Sequence, residues 1–293
     1  MKTLWALEPF HQDIKKTQMM HSFIKQFSPD ENDIEVGFIA TRDIQSLNLA
    51  FNIPKEERYS AYPKKVILQN LKKAKISLDQ QNIFVRDVDT VSTTKAVESF
   101  LDIAKKQNSE LIAIFTQDKN GFKKFTLGSF AETAMELSPK NLLIVSPNVK
   151  PIKKFSTIIY ATDFQSNSKE DIQEMLDLSL RLNSKIIIYH HSLDLALLKK
   201  DKQNFDLVKR KKKIDDFSDW IQNQARIKKA KVKIIIEGSF LPVSEALLKT
   251  AKKEKANLVA VTSKKQGIKI ILTGSTTRQI VRQSDIPVLV IKN

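Results

Sequence analysis

The sequence predicts an α/β protein of two domains in tandem, each a five-stranded parallel sheet flanked by helices. Three observations predict it. Short β-branched apolar runs alternate with amphipathic stretches along the whole chain, as successive βαβ units require. The runs are apolar on both faces, as in "KIIIY" (185–189) and "VLVIK" (288–292), the pattern of strands covered by helices on both sides. The third is a repeat: "TQDKNGFKKFTLGS" (116–129) returns 146 residues later as "TSKKQGIKIILTGS" (262–275). A length of 293 residues suits two domains of about 150 residues each.

Taken in order, the first half offers strands "KTLWAL" (2–7), "DIEVGFIA" (33–40), "NIFVRD" (82–87), "ELIAIFT" (110–116) and "NLLIVS" (141–146). Its helices fall near 14–27, 64–78, 93–107 and 129–137. The stretch "SPNVKPIKK" (146–154) holds two prolines and three lysines and reads as a linker, so the domains are expected at 1–147 and 153–293. The second half opens with strand "FSTIIYA" (155–161). A helix over 168–184 follows, with Ile172, Met175, Leu176, Leu178 and Leu182 on one stripe. Ser168 ahead of Glu170 and Asp171 predicts a capped, acidic first turn. Then come strand "KIIIYHH" (185–191), a basic helix to about 230, strand "KVKIIIE" (231–237) and helix 242–256. Strand "NLVAVT" (257–262), the repeated loop, a helix from "STTRQIVRQS" and strand "IPVLVIK" (286–292) complete the chain.

Composition narrows the chemistry. The chain has no Cys, which removes disulfides, thiolate metal sites and cysteine nucleophiles and makes a reducing cytoplasm the expected setting. No apolar run approaches the ~20 residues of a membrane span, and the N-terminus lacks the small-residue cleavage site of a secretory signal. Charge is lopsided. Residues 1–146 carry 20 Lys+Arg against 18 Asp+Glu, and residues 147–293 carry 29 against 15, or +2 and +14. Much of the excess lies in 199–233, with 13 basic and 5 acidic residues. That stretch is a solvated helix face or a surface for nucleic acid or another anion; base-stacking aromatics are not interleaved with it. His190 and His191 are adjacent on a strand, so they point to opposite faces and do not chelate together. The other histidines are His11 and His21. Trp5 reads as core, and Trp220 as cover for a helix face or the seam between domains.

The repeated loop carries the candidate site. Its copies agree, without a gap, at Thr116/Thr262, Lys119/Lys265, Gly121/Gly267, Lys123/Lys269, Gly128/Gly274 and Ser129/Ser275. Four of the chain's six glycines sit in these pairs, and glycine marks an unusual turn or a close approach. Ligands of open α/β sheets bind at the carboxyl ends of the strands, where this loop leaves its strand. Ser129 and Ser275 are expected as N-caps, with free N–H groups beyond them seating an anion. A plain strand–loop–helix connection reads the loop equally well.

"IIYATDF" opening a domain, "GSFLPVSEALLKTAKKEKANLVAVTS" before the loop and "LTGSTTRQIVRQSDIPVLVI" at the end resemble the universal stress protein family over residues 155–293. "LWALEPF", "SELIAIFTQ" and "LGSFAETAMELSPKNLLIVS" resemble it in the first half. The resemblance implies a flavodoxin-like (adenine nucleotide alpha hydrolase-like) fold, with the two halves packed as a pseudo-dimer. In part of the family it implies ATP binding, by an Asp after the first strand and a loop Gly-x2-Gly-x9-Gly-Ser/Thr. Asp163 matches the Asp; Gly274, Ser275 and the hydroxyl of Thr277 match the loop's end. Thr262 and Lys265 stand where the loop has glycines, with eight residues rather than nine before Gly274. In the first half Glu8 takes the Asp position, Thr116 and Lys119 replace glycines, and Ala131 stands where Thr277 does. A Cβ in place of hydrogen holds the backbone off a triphosphate; a lysine supplies charge instead.

The nucleotide site is therefore expected chiefly in the second half, at Asp163, Thr262, Lys265, Gly267, Gly274, Ser275 and Thr277. A weaker counterpart is expected at Glu8, Thr116, Lys119, Gly121, Gly128 and Ser129. The resemblance implies a cytoplasmic stress-response protein that acts by binding, with ATP or AMP as candidate ligand and no metal. Alternatives are an interaction scaffold, an anion or nucleic-acid binder through 199–233, and a slow ATPase with Lys265 and Ser275 on the phosphates. Homodimer formation is a further expectation.

Overall fold

The structure, a computed structural model, describes residues 1–10, 13–41, 61–116, 129–164, 168–198, 205–263 and 275–292, with the backbone alone at Ser275. In the first half β1 (Thr3–Ala6), α1 (Ile14–Phe27), β2 (Ile34–Ala40), α2 (Ala61–Lys73), β3 (Ile83–Asp87), α3 (Thr93–Lys106), β4 (Leu111–Phe115), α4 (Ser129–Leu137) and β5 (Asn141–Val145) follow one another. The second half runs β6 (Thr157–Ala161), α5 (Lys169–Arg181), β7 (Lys185–His191), α6 (Leu193–Leu198), α7 (Phe205–Lys228), β8 (Val232–Glu237), α8 (Val243–Lys253), β9 (Leu258–Ser263), α9 (Ser275–Gln283) and β10 (Val288–Lys292). Every strand expected from the sequence is present.

The strands form one ten-stranded sheet in the order β3-β2-β1-β4-β5-β10-β9-β6-β7-β8. Each half is parallel and has the same internal order, read from opposite edges. The halves meet where β5 and β10 pair antiparallel, Leu143 opposite Leu289. Two edge strands that would otherwise present unpaired backbone groups thereby satisfy each other. Flanking helices α4 and α9 are clipped together by ion pairs Arg278–Glu136 and Arg282–Glu132. Ser146 Oγ donates to Ser284 O (3.0 Å) and Lys292 N to Asn141 Oδ1 (2.9 Å) across the same seam.

Two apolar layers cover the sheet, and each runs through both halves. One gathers Trp5, Phe23, Phe155, Tyr160, Met175 and Phe217 under α1, α2, α5 and α7. The other gathers Leu4, Phe100, Met135, Tyr189, Leu247 and Val281 under α3, α4, α8 and α9. Trp5 is core, as expected. Trp220 covers the α5–α7 face and not the seam: it packs on Phe217 (5.5 Å between centroids), with Lys169 Nζ over its ring at 5.1 Å.

The scarcity of glycine has a structural counterpart. Lys75, Asn108, Asn183, Lys229 and Lys255 follow helices and take the left-handed conformation, with φ of 59°, 53°, 48°, 56° and 53°. Behind them N–H groups reach back, as Ile76 N to Leu71 O (2.9 Å) and Ala230 N to Ala225 O (2.9 Å). These are helix stops for which glycine is the usual residue, and a side chain there costs about 1 kcal/mol. Lys75 and Lys229 occupy the same place in the two halves, as do Asn108 and Lys255.

Candidate functional site: two crevices at the carboxyl ends of the strands

In the first half, the carboxyl ends of β1, β2 and β4 and the start of α4 surround a cavity of about 310 Å³. Its walls include Leu7, Glu8, Gly37, Phe100, Thr116 and Ser129. Glu8 sits where β1 gives way to the loop, and its Oε1 accepts the Phe10 N–H at 3.2 Å. Gly37 leaves space on the β2 floor, and the Phe100 ring leans over it: a Cβ there would lie 2.7 Å from Phe100 Cε2. Thr116 turns its hydroxyl to the backbone, Oγ1 to Val145 O at 3.4 Å, and is 4% exposed. Ser129 and Ser275 are the first described residues of α4 and α9, and the residues ahead of them lie outside the described ones. The N–H groups of the first turn of α4 have no partner within the helix and border the cavity.

In the second half, Asp163 follows β6 and Thr262 lies on its neighbour β9. Thr262 Oγ1 is 2.8 Å from Tyr160 OH, and burial pushes the Tyr160 hydroxyl far above its ordinary pKa, so it stays protonated. Ser168 does not cap α5. It has helical φ and ψ, makes no capping bond, and donates its Oγ to Asp163 Oδ1 at 2.6 Å. Sequence reasoning had the residue and missed its role, because the cap and the contact with Asp163 need the same hydroxyl. Thr277 is buried in the first turn of α9. Lys119, Gly121, Gly128, Lys265, Gly267 and Gly274 lie outside the described residues, as does the side chain of Ser275.

The sheet register corrects the ungapped loop pairing. Phe115 stands opposite Val145 and Thr262 opposite Ile291, the same rung in each half. Phe115 therefore occupies the place of Thr262, and Thr116 that of Ser263. Between strand and helix the first half has one residue more, a gap invisible where both strands end in Thr after an apolar run.

An aromatic contact missed by the sequence reading sits beside each crevice. Phe38 and His190 occupy equivalent rungs of β2 and β7. Phe10 meets Phe38 edge-on at 6.2 Å, and Phe164 stacks on His190 at 4.4 Å and on Phe217 at 5.0 Å. Phe164 holds φ 55° for this, a conformation disfavoured for a side chain of its size. His190 Nδ1 donates to Thr162 O at 3.0 Å. Burial lowers the pKa of His190 from its ordinary value, against the opposing pull of Thr162 O and Asp163. With the folded pKa below the unfolded one, its contribution to stability is complete above about pH 6.5 and is lost as pH falls toward the folded value. His190→Phe, which copies the first half, should flatten the dependence of unfolding free energy on pH in that window; urea titrations of both proteins across it provide the check.

Comparison with known proteins fits this architecture. The sequence profile of the universal stress protein family matches residues 36–146 and again 154–292. The chain belongs to the universal stress protein family. A universal stress protein from Archaeoglobus fulgidus DSM 4304 is similar over 99% of this chain and 98% of its own, at 18% identity and a TM-score of 0.64. A functionally unknown protein from Pseudomonas aeruginosa PAO1 is similar over 99% and 92%, at 13% identity and a TM-score of 0.58. A universal stress protein from Archaeoglobus fulgidus in complex with dAMP spans 47% of this chain and 98% of its own, at 15% identity and a TM-score of 0.35. A search of curated protein sequences finds no match. Among the described residues, no helix is long and apolar enough to cross a membrane, and no three metal-ligating side chains converge.

Proposed function

We propose that this chain is a cytoplasmic stress-response protein that works by holding a small ligand at the carboxyl ends of its strands and by engaging partners, without catalysis. The observation that carries the reading is the cavity of about 310 Å³ bordered by Glu8, Gly37, Thr116 and Ser129. It lies at the strand ends, where open α/β sheets bind ligands. It belongs to the first half; the second-half crevice, which the sequence favours, is bordered by residues outside the described ones, and we propose both as ligand sites, the second as the principal one. Glu8 and the first-turn amides of α4 are the polar ends of the first, and the walls from Leu7, Phe100 and their neighbours are apolar, the usual make-up of a small-molecule site. Adenine nucleotides, ATP or AMP among them, are the ligands that the family resemblance suggests. We assign Asp163, Thr262, Lys265, Gly267, Gly274, Ser275 and Thr277 to the corresponding second site. Glu8, Thr116, Lys119, Gly121, Gly128 and Ser129 are assigned to the first, and the domains to 1–147 and 153–293.

The test is a thermal-shift and calorimetric screen with ATP, ADP and AMP. A ligand at one hundred times its Kd stabilises the native state by about 2.7 kcal/mol, enough to raise Tm by several degrees. Asp163→Ala should reduce the shift, and Glu8→Ala should reduce it less. A flat response to all three nucleotides would remove the nucleotide reading and leave the crevices to another small molecule or to none.

A further inference from the structure

None of the basic residues Lys209, Arg210, Lys211, Lys212 and Lys213 lines the described first-half cavity. Helix α7 extends nine residues, about 13 Å at 1.5 Å per residue, before its first buried side chain, Ile214. In that overhang Lys209, Arg210, Lys211, Lys212 and Lys213 are all exposed. So are two large apolar residues, Phe205 (78%) and Val208 (47%). At 100° per residue, Ile214, Phe217, Ile221 and Ala225 define the inward face. Phe205, Val208 and Lys212 point the opposite way, with Lys209 and Lys211 on either side. Asp215 and Asp216 end the basic surface one turn later. Short helix α6 lies alongside, fixed by Arg210 Nη1 to both Asp194 oxygens at 3.0 and 3.1 Å. It adds exposed Leu193 (51%) and Leu197 (39%), four apart on one face. The backbone at Gly238 closes against α6 so tightly that a Cβ would sit 2.9 Å from Ala196 N, so the arm is anchored to the sheet edge.

We propose that the α6–α7 arm docks the protein onto an anionic lipid bilayer surface. Exposed apolar residues ringed by lysines are what an interfacial helix needs: the apolar groups enter the headgroup boundary while lysines reach anionic lipids. A second copy of the chain is disfavoured as occupant, because the half bearing the arm carries +14 (29 basic against 15 acidic residues) and repels itself. Nucleic acid is disfavoured because Val208, Leu193 and Leu197 offer no ring for a base to stack on, which leaves Phe205 as the one aromatic among the arm's four exposed apolar residues.

Co-sedimentation with vesicles of phosphatidylglycerol and phosphatidylcholine, against phosphatidylcholine alone, tests it. The protein should bind the anionic vesicles, less at high salt, and leave the neutral ones. Lys209→Gln with Lys212→Gln should weaken binding by roughly 25-fold, taking about fivefold per lysine at the surface. Phe205→Ser with Val208→Ser should weaken it by about 10-fold, with thermal unfolding unchanged because neither residue is buried. Absence of binding to anionic vesicles, equal binding to neutral ones, or indifference to the Phe205/Val208 change would overturn the proposal. Retention on duplex DNA or RNA that follows the lysines and ignores Phe205 would assign the arm to nucleic acid instead.

Discussion

Phe155→Ala is expected to cost about 3–5 kcal/mol, the range for truncating a fully buried aromatic ring, and to loosen the coupling between the halves. Phe155 is the residue by which the chain enters the second half, and it is wholly buried. Its ring lies 5.4 Å from Phe23 and 5.6 Å from Phe27, both on α1 of the first half. Its N–H donates to Gln26 Oε1 at 2.6 Å, also on α1, while its carbonyl accepts the Ser184 hydroxyl beside β7. One side chain and its peptide groups thus join a first-half helix to the second-half sheet on one face. The β5–β10 pairing and the two Arg–Glu pairs join them through the sheet and its other face. With the ring gone, α1 loses its aromatic contact with the second half, and the seam rests on the strand pairing, the two Arg–Glu pairs and the hydrogen bonds across it. Urea unfolding followed by tryptophan fluorescence reads this directly, because Trp5 lies in the first half and Trp220 in the second. Single-tryptophan versions should share one midpoint with Phe155 present and separate when it is alanine, with a shallower overall transition. Phe205→Ala, at an exposed position, should stay within about 0.5 kcal/mol. A Phe155→Ala protein that unfolds within about 1 kcal/mol of the parent, the two tryptophans still together, would show that the linker residue is not the clasp.

The strand pattern was legible because the inner strands are buried on both faces and read as apolar runs, and the partly buried edge strands β3 and β8 still carry the short runs "IFV" and "III". What decided the site was less legible. The gapless repeat pulled Thr116 onto Thr262, whereas backbone pairing of Phe115 with Val145 and Thr262 with Ile291 sets them one rung apart. Sequence identity weighed the loop and had no access to register, which is fixed by hydrogen bonds to the next strand. The preference for the second half rested on side chains that match a motif, Asp163 and the Gly274-Ser275 pair. The first-half cavity includes Gly37 in its wall, where the missing side chain makes room for the Phe100 ring, and a sequence read for functional groups passes over such a residue. The seam was legible only as a pseudo-dimer, because β5 and β10 look alike whether they face water or each other. Ser168, read as a cap, bonds Asp163, a contact between residues five apart that no propensity encodes.

The same comparison of halves yields the second large effect. Gly37 and Tyr189 occupy one rung, opposite Ala6 and Ala161. Phe100 and Leu247 occupy one helical position, each four residues before the alanine, Ala104 or Ala251, that bonds the strand-side turn. The first half thus pairs no side chain with a large ring, and the second pairs a large ring with Leu. Tyr189 is fully buried, and its hydroxyl donates to Glu237 Oε2 at 3.0 Å, the atom that Thr250 Oγ1 also reaches at 3.0 Å. Burial, then the Glu237 carboxylate, pushes its pKa far above the ordinary value, so the hydroxyl remains a donor. Tyr189→Phe keeps the ring and leaves Glu237 with Thr250, so about 1 kcal/mol should be lost. Tyr189→Ala removes the ring as well and should cost about 3–5 kcal/mol. Leu247→Phe alone overfills the layer and should destabilise by about 1–3 kcal/mol. Tyr189→Gly with Leu247→Phe rebuilds the first half's pair, so the double variant should be more stable than the sum of its single changes predicts, by about 1 kcal/mol or more. Urea denaturation of the four proteins in that cycle measures the coupling. Additive losses would mean that the two halves reach their different crevices by independent packing, and that the space beside Gly37 does not depend on where Phe100 sits.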